Sequence, residues 1–170
     1  MISIIGEKGL TGVVKRFLDL VFVGGTAIWL SLPITLKWYL GMIYGVENIK
    51  YFRANQTNLF MVHTESYWFL MGFLYISGFF SIMILHDMRK IFKSLNKKDP
   101  FIIENVKCLH RIAVSSFGIS ICYIIKIFTF NTFLTIILTM VFIIAGLFTI
   151  ILAEVFKQAV KYKEENDLTI

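Results

Sequence analysis

The feature that most constrains this chain is a series of four long apolar blocks with few charges inside them. The blocks cover residues 17–36, 67–85, 112–128 and 133–153. A helix of roughly 20 apolar residues crosses a hydrocarbon layer about 30 Å thick. In a helix of a soluble protein, apolar residues instead recur every three to four positions, with polar residues of the opposite face between them. We therefore predict an all-α integral membrane protein, a four-helix bundle with these four spans.

The composition also favours a membrane protein. Of the 170 residues, 57% are apolar and 16% are charged, against about 25% charged residues in soluble domains. No linker or repeat divides the chain, so we expect a single membrane domain over residues 1–170. The net charge of +6 could suit nucleic acid, but the placement of the basic residues favours the charge bias of membrane proteins. We expect no direct contact with nucleic acid.

The basic residues indicate the orientation in the membrane. Of the 17 lysines and arginines in the chain, 13 lie in three segments. Three precede the first block, seven lie within residues 87–111, and three follow the fourth block. The opposite side carries only Lys37, Lys50, Arg53 and Lys126. Basic residues in short loops favour the cytosolic side of a membrane. Both termini are therefore predicted to be cytoplasmic.

The first block raises the question of a signal peptide, because Lys15 and Arg16 precede it. Its apolar run continues to Leu36, which is longer than a typical signal-peptide core, and no small-residue cleavage site follows. We expect an uncleaved first transmembrane helix. Pro33 lies near the far end of this block, where it can be tolerated or can end the helix.

The longest polar connection, residues 37–65, carries scattered aromatic side chains such as Trp38 and Tyr51. Aromatic residues at this level are usually anchors at the membrane interface. A connection of this length can also be functional. A binding cap on the outer side therefore stays open as an alternative.

Helices 2, 3 and 4 are predicted to extend into the cytosol. After the second block, apolar residues recur at three- to four-residue spacing as far as Leu95, with basic residues between them that can meet anionic lipid. Asp99 followed by Pro100 is typical of an N-cap and a first helical position, so a third helix is expected to start there. The helical pattern of the fourth block continues through Val160.

Few ionisable side chains lie within the blocks, where such groups are functional candidates. Asp19, Lys126 and Glu154 are each close to an end of a block. Side chains at that depth can reach water or a partner of opposite charge. We expect them to reach an interface or to form local ion pairs rather than a site.

A catalytic or metal site could in principle be built from His86, Asp87, His110 and Glu154 at the cytosolic interface. His86 and Asp87 are adjacent, however, so on a helix they point to different faces and do not easily converge. No common hydrolase, metalloprotease or phosphate-loop motif occurs in the chain. We expect no cofactor, no metal and no enzymatic activity.

Solute transport is the alternative class of function. Transporters commonly place broken helices and polar residues near the membrane midplane. Here the polar residues at that depth are hydroxyls such as Thr26, Ser77, Ser120 and Thr139, which can bond to carbonyls of their own helix. No solute path within one protomer is evident, although a homo-oligomer could form one. A small transporter, or a self-protection protein against membrane-active compounds, stays open.

Two segments resemble a bacterial membrane family. The first contains Pro100-Phe101, Glu104-Asn105, Leu109 and Ile112; the second is the ending with Leu152-Ala153-Glu154-Val155-Phe156, Ala159, Lys163-Glu164-Glu165 and Asp167-Leu168-Thr169-Ile170. On these residues the chain resembles, over roughly residues 15–170, the family catalogued as domain of unknown function 2975. One departure is Ile102, at a position where a small polar cap is expected.

The resemblance implies a four-helix protein of the bacterial cell membrane, whose relatives often neighbour a small Cro/CI-like helix-turn-helix regulator. It implies no catalytic residues. Because its specific segments lie beneath the membrane, our leading hypothesis is a non-enzymatic bundle that presents a cytosolic platform, residues 89–111 and 154–170, to a regulatory protein partner. The candidate partner-binding residues are Arg89, Lys93, Pro100, Phe101, Glu104, Asn105, Glu154, Glu164, Glu165, Asp167 and Leu168.

Overall fold

Four long helices make up the described part of the chain. A computed structural model describes residues 10–44, 67–96, 100–129 and 132–167. The helices are α1 (Leu10–Tyr44), α2 (Tyr67–Asn96), α3 (Ile103–Thr129) and α4 (Phe133–Asp167). Each helix is long and apolar enough to cross a membrane. The predicted all-α class with four spans is confirmed, and the length and composition of the helices indicate a multi-pass membrane protein.

The first helix is longer than its predicted span. It continues past Pro33 to Tyr44, so residues 37–44 of the predicted outer connection are helical. On either side of the proline, Ser31 and Thr35 each donate a 3.0 Å hydrogen bond to a carbonyl of the helix. Such hydroxyl bonds are one way in which membrane helices accommodate proline. The rest of the connection, including the possible binding cap, lies outside the described residues.

The third helix begins later than predicted. Pro100 is not helical and α3 starts at Ile103, so the expected start at Pro100 is wrong, while Asp99 lies outside the described residues. The backbone N–H of Asn105 donates to the Ile102 carbonyl at 3.0 Å. Its side-chain Nδ2 donates to the Pro100 carbonyl at 2.6 Å. The Asn105 side chain thus holds the preceding turn, and the Ile102 carbonyl accepts the Asn105 N–H that a polar cap at Ile102 would otherwise bind.

The helices α2 and α4 continue beyond their apolar blocks as predicted, while the location of these extensions in the cytosol stays a prediction. α2 continues to Asn96 and α4 to Asp167, well beyond the ends of their apolar blocks. Between α3 and α4, the Thr132 carbonyl accepts a 2.8 Å bond from the Thr135 N–H and so opens α4. This agrees with a short connection after Thr129, of which residues 130–131 lie outside the described part.

The helices pack in the order of the sequence. α1 packs on α2, α2 on α3 and α3 on α4, and no other pair within the described ranges makes more than a marginal contact. The bundle is therefore open between α1 and α4. Half of the buried positions in the described ranges lie on α3, which packs on α2 and on α4. α1 touches one helix, and its remaining surface is available to lipid.

The middle of each helix–helix interface has an aromatic ring against a glycine. In every case the ring comes from the earlier helix and the glycine from the next; the pairs are Trp29–Gly78, Phe80–Gly118 and Phe117–Gly146. A Cβ atom on Gly78 would lie 2.5 Å from Trp29 Cδ1, so only glycine fits there. Trp29 is also fixed by its Nε1, which donates to the Tyr75 carbonyl at 3.0 Å. Small residues allow membrane helices to approach closely.

The outer surface of the four helices is apolar. Exposed large side chains occur on every helix, among them Phe17, Ile76, Phe128 and Ile144. In water such a surface would aggregate, whereas lipid chains solvate it and leave only the backbone polar groups to be satisfied within each helix. The surface thus fits contact with a lipid bilayer.

Candidate functional site

Ion pairs between helices gather at one end of the molecule, where α1 and α3 begin and α2 and α4 end. We call it the charged end. Asp19 of α1 pairs with Arg89 of α2, and Asp87 of α2 pairs with Arg111 of α3. The two pairs use residues one turn or less apart on α2, so they lie at a similar depth. Three of the four helices are joined there by charge.

The pair between Asp87 and Arg111 is the more buried of the two. Arg111 donates from Nε to Oδ2 at 2.9 Å and from Nη2 to Oδ1 at 2.7 Å, so both carboxylate oxygens are bound. The Asp87 side chain is only 3% exposed. A buried carboxylate without a partner is strongly unfavourable, and a bidentate guanidinium is the best-matched partner among side chains. This contact fixes α3 against α2.

The pair between Asp19 and Arg89 is more open. Arg89 Nε donates to Asp19 Oδ1 at 2.5 Å, with side chains that are 32% and 39% exposed respectively. The guanidinium carbon lies 4.4 Å from the centre of the Phe22 ring, one turn from Asp19 on α1. A cation over an aromatic face adds a modest attraction. The expectation of a local ion pair for Asp19 is confirmed.

His86 and Cys108 lie beside the pair of Asp87 with Arg111. His86 is half exposed while Asp87 is buried, as expected for adjacent helical residues, yet His86 Nδ1 comes within 3.5 Å of Asp87 Oδ1. The expectation that these two side chains do not come together is wrong, because the two atoms are within 3.5 Å of each other. Cys108 Sγ accepts a 3.2 Å contact from Arg111 Nη2. Within the described ranges, no three His, Cys, Asp or Glu side chains are grouped to hold a metal ion.

A pocket opens beside the end of α2 and the start of α3. Asn105 Nδ2 donates to Ser94 Oγ at 2.9 Å, and both residues are buried. Next to this bond is a cavity of about 400 Å³, which we call the basic pocket. It is lined by Lys90, Lys93, Ser94, Ile102, Glu104, Asn105 and Cys108. The volume is within the range of small-ligand sites.

The end of α4 packs beside the turn that precedes α3. The rings of Phe101 and Phe156 lie with their centroids 5.6 Å apart. Farther along α4 the charged side chains pair along the helix: Lys157 with Glu154 at 3.5 Å and Lys161 with Glu165 at 3.7 Å. These pairs are exposed and contribute little to stability. The aromatic contact links the turn to the end of α4, in addition to the packing of α3 on α4.

The candidate partner-binding residues fall into four places, and their role stays a prediction. Arg89 forms an ion pair with Asp19. The basic pocket is lined by Lys93, Glu104 and Asn105. Pro100 and Phe101 form the turn held by Asn105 and packed on Phe156. Glu154, Glu164 and Glu165 lie exposed on the end of α4, and Asp167 ends that helix. Leu168 lies outside the described residues.

The pairing of Asp87 with Arg111 was not expected from the sequence, although a signal for it exists. The two residues stand twelve positions before and after Asp99, in the connection between α2 and α3. In a helical hairpin, residues equally far from the turn lie at the same level. Opposite charges at equal distances from a predicted turn therefore indicate a pair between the two helices. The contact of Phe156 with Phe101 has no comparable signal.

The hydroxyls in the middle of the helices are occupied by their own backbone. Thr26, Ser77, Ser120 and Thr139 each donate to the carbonyl four residues earlier, at distances of 2.6, 2.6, 3.0 and 2.8 Å. The prediction that they satisfy themselves on their own helix is confirmed. At the other end of the molecule Lys126 lies 5.1 Å from the centre of the Phe73 ring.

Comparison with known proteins identifies the family. A family model described as "Protein of unknown function (DUF2975)" matches residues 30–170. The chain belongs to this family. The match covers α2, α3, α4 and the second part of α1 from residue 30 onward, so it includes the basic pocket and the contact of Phe101 with Phe156. No curated protein and no solved structure matches the DUF2975 chain significantly.

Proposed function

We propose that this DUF2975 protein is a non-enzymatic scaffold of the bacterial cell membrane. Its charged end faces the cytosol and presents residues 89–111 and 154–170 to a regulatory protein. The observation that carries the proposal is the contact between Phe101 and Phe156, 5.6 Å between ring centroids, because it brings the two segments side by side. Two segments far apart in sequence can then form one surface.

The use of the charged groups supports a scaffold rather than a catalyst. Asp87 has both carboxylate oxygens on Arg111, and Asp19 is bound by Arg89. Each pair joins two helices, which is a structural role. A general acid or base would instead need to face a substrate.

The orientation is supported by 13 of the 17 basic residues lying on the side of the charged end. A reporter fused after residue 170 tests it. We expect a reporter that works only in the cytosol to be active there, and a reporter that works only outside the membrane to be active when inserted within residues 45–66. The reverse pattern would show that the charged end faces outward.

Photo-crosslinking in living cells tests the platform. Tyr162 near the end of α4 is 70% exposed, and Phe128 at the opposite end is 88% exposed, so the two are matched aromatic positions. With a photoreactive phenylalanine at each, we expect an adduct with a small soluble helix-turn-helix regulator at position 162 only. Deleting residues 164–170 should abolish recovery of that regulator from gently solubilised membranes. Equal adducts at both positions, or unchanged recovery after the deletion, would contradict the platform.

A further inference from the structure

We propose that the basic pocket binds the phosphate group of an anionic phospholipid. The inference goes beyond the protein platform and rests on one part of the proposed function, the orientation of the charged end toward the cytoplasmic leaflet. That leaflet carries most of the anionic lipid accessible to such a site. No protein partner is required for it.

Two lysines give the pocket its charge. Lys90 and Lys93 stand three residues apart on α2, so they lie on the same face of the helix. Neither makes an ion pair with any residue of the described ranges. Lys157 and Lys161 differ in this respect, because each is bound to a glutamate on α4. Within the described ranges no ion pair neutralises the pocket lysines, so their charge can attract an anion.

The pocket is held in shape without a ligand. Asn105 bonds to Ser94 across the two helices and to the Pro100 carbonyl in the turn, at 2.9 and 2.6 Å. Deeper in the molecule the Asp87–Arg111 pair fixes the same two helices. A site that is already ordered loses less conformational entropy when a ligand binds. The cavity of about 400 Å³ can take a phosphate with part of its glycerol ester.

The position of the pocket along the helices favours a lipid over a dissolved ion. Lys90 follows Asp87 by three residues, or about 4.5 Å along the helix axis. The surface before Asp87 on α2 carries exposed apolar side chains such as Ile76 and Phe79, which suit contact with acyl chains. Lysines just beyond such a surface reach the level of the lipid headgroups. Ile102 adds an apolar wall beside the lysines.

Glu104 reduces the net positive charge of the pocket. Glu104 also lines the pocket, so its lining residues carry two positive charges and one negative charge. Replacing it with Gln removes the repulsion on a phosphate. We therefore expect Glu104→Gln to bind anionic lipid about fivefold more tightly than the natural chain, the size of one nearby charge. Weaker binding by this variant would mean that Glu104 contacts the ligand favourably, and would overturn the proposal that the pocket holds a phosphate which Glu104 repels.

Native mass spectrometry of the full chain in nonionic detergent tests the inference. Phosphatidylglycerol, phosphatidylcholine with the same acyl chains, and inorganic phosphate are titrated separately. We expect phosphatidylglycerol to bind roughly tenfold more tightly than phosphatidylcholine, because each lysine near an anionic headgroup contributes several-fold. The double variant Lys90→Gln, Lys93→Gln should lose this preference. The matched double variant Lys157→Gln, Lys161→Gln should keep it within about twofold, since its lysines are exposed and already paired.

The outcomes separate the alternatives. An equal loss of preference in both double variants would show a general effect of charge and overturn the pocket. Phosphatidylcholine binding as tightly as phosphatidylglycerol would overturn the requirement for a net anion. Inorganic phosphate binding as tightly as the lipid, with the same dependence on Lys90 and Lys93, would overturn the lipid as its source. The thermal unfolding temperature of each variant is measured in parallel, and an unchanged value excludes a loss of fold.

Discussion

The middle of the bundle and the charged end are held together by different means. In the middle, rings fill the space beside glycines, as Trp29 does at Gly78. At the charged end, helices are joined in addition by ion pairs and side-chain hydrogen bonds, such as those of Asp87 with Arg111 and of Asn105 with Ser94. The first kind of contact depends on shape and the second on charge and hydrogen bonds.

The difference follows from the surroundings of each region. Lipid chains are as apolar as the helix surfaces, so hydrophobicity does not draw helices together within the membrane, and close packing must do it. Near the interface, polar groups can be hydrated before folding and can find partners after it. The contacts there are more specific, and breaking one leaves a group without its partner. The two regions should therefore respond differently to substitution.

The largest effect is expected at Arg111. Arg111→Gln leaves the buried Asp87 carboxylate without its cation. Because the Arg111 side chain is itself 47% exposed, we expect a cost in the free energy of unfolding at the lower end of the about 3–5 kcal/mol found when one side of a buried pair is removed. Unfolding in mixed micelles of nonionic detergent and dodecyl sulfate measures this loss. The double variant Asp87→Asn, Arg111→Gln should recover a large part of it, because no buried charge remains. A double variant as unstable as the single one would contradict a role for charge.

A shape-dependent loss of about 1–3 kcal/mol is expected for Gly78→Ala. The added Cβ would lie 2.5 Å from Trp29 Cδ1, and the Trp29 ring cannot easily move because its Nε1 is bonded to the Tyr75 carbonyl. Gly72 on the same helix is the matched control, since a Cβ there meets no atom within 4 Å. Gly72→Ala should be neutral or slightly stabilising in the same unfolding assay. Equal losses would mean that backbone freedom, and not close packing, is what these glycines supply.

The two regions also differ in how far they could be predicted from the sequence. The four spans and the extensions of α2 and α4 follow from local hydrophobicity, which one sequence displays directly. The predicted start of α3 is three residues too early. The turn before α3 is fixed by a hydrogen bond from the Asn105 side chain to the Pro100 carbonyl, five residues earlier, and a sequence pattern does not show such a bond. The contact of Trp29 with Gly78 depends on how α1 is rotated about its axis. In a membrane protein the lipid-facing and buried faces are both apolar, so the sequence does not reveal that rotation.

The candidate site could be located but not assembled from the sequence. The sequence points to the segments around Lys93 and Glu154, and the basic pocket and the end of α4 lie there. What joins them, the contact of Phe101 with Phe156, links residues 55 positions apart and carries no local pattern. Charge at equal distances from a turn is visible in a sequence, whereas an aromatic contact between distant segments requires the packed structure.

A smaller effect, about 1–2 kcal/mol, is expected for Asn105→Ala. The substitution removes the bond to Ser94 and the bond to the Pro100 carbonyl, so the turn before α3 loses the side chain that holds it. Hydrogen exchange should then increase in the first turn of α3 more than in the middle of that helix. Asn105→Asp is the informative companion, because it keeps the shape but cannot donate to the carbonyl. Full stability of the Asp variant would show that the donated bonds are not what holds the turn.

The smallest effect, about 0–1 kcal/mol, is expected for Asp19→Asn, and it decides whether burial is what separates the two ion pairs. Asp19 and Arg89 are each about a third exposed, whereas the Asp87 side chain is 3% exposed. Without the carboxylate, Arg89 keeps its position over the Phe22 ring and can turn to water, so no charge is left buried. Added salt should reduce the difference between Asp19→Asn and the natural chain, since exposed pairs are screened. A loss in the free energy of unfolding as large as that of Arg111→Gln would mean that lipid excludes water from both ion pairs. The exposure of a side chain in the folded chain would then not determine how much its ion pair contributes to stability.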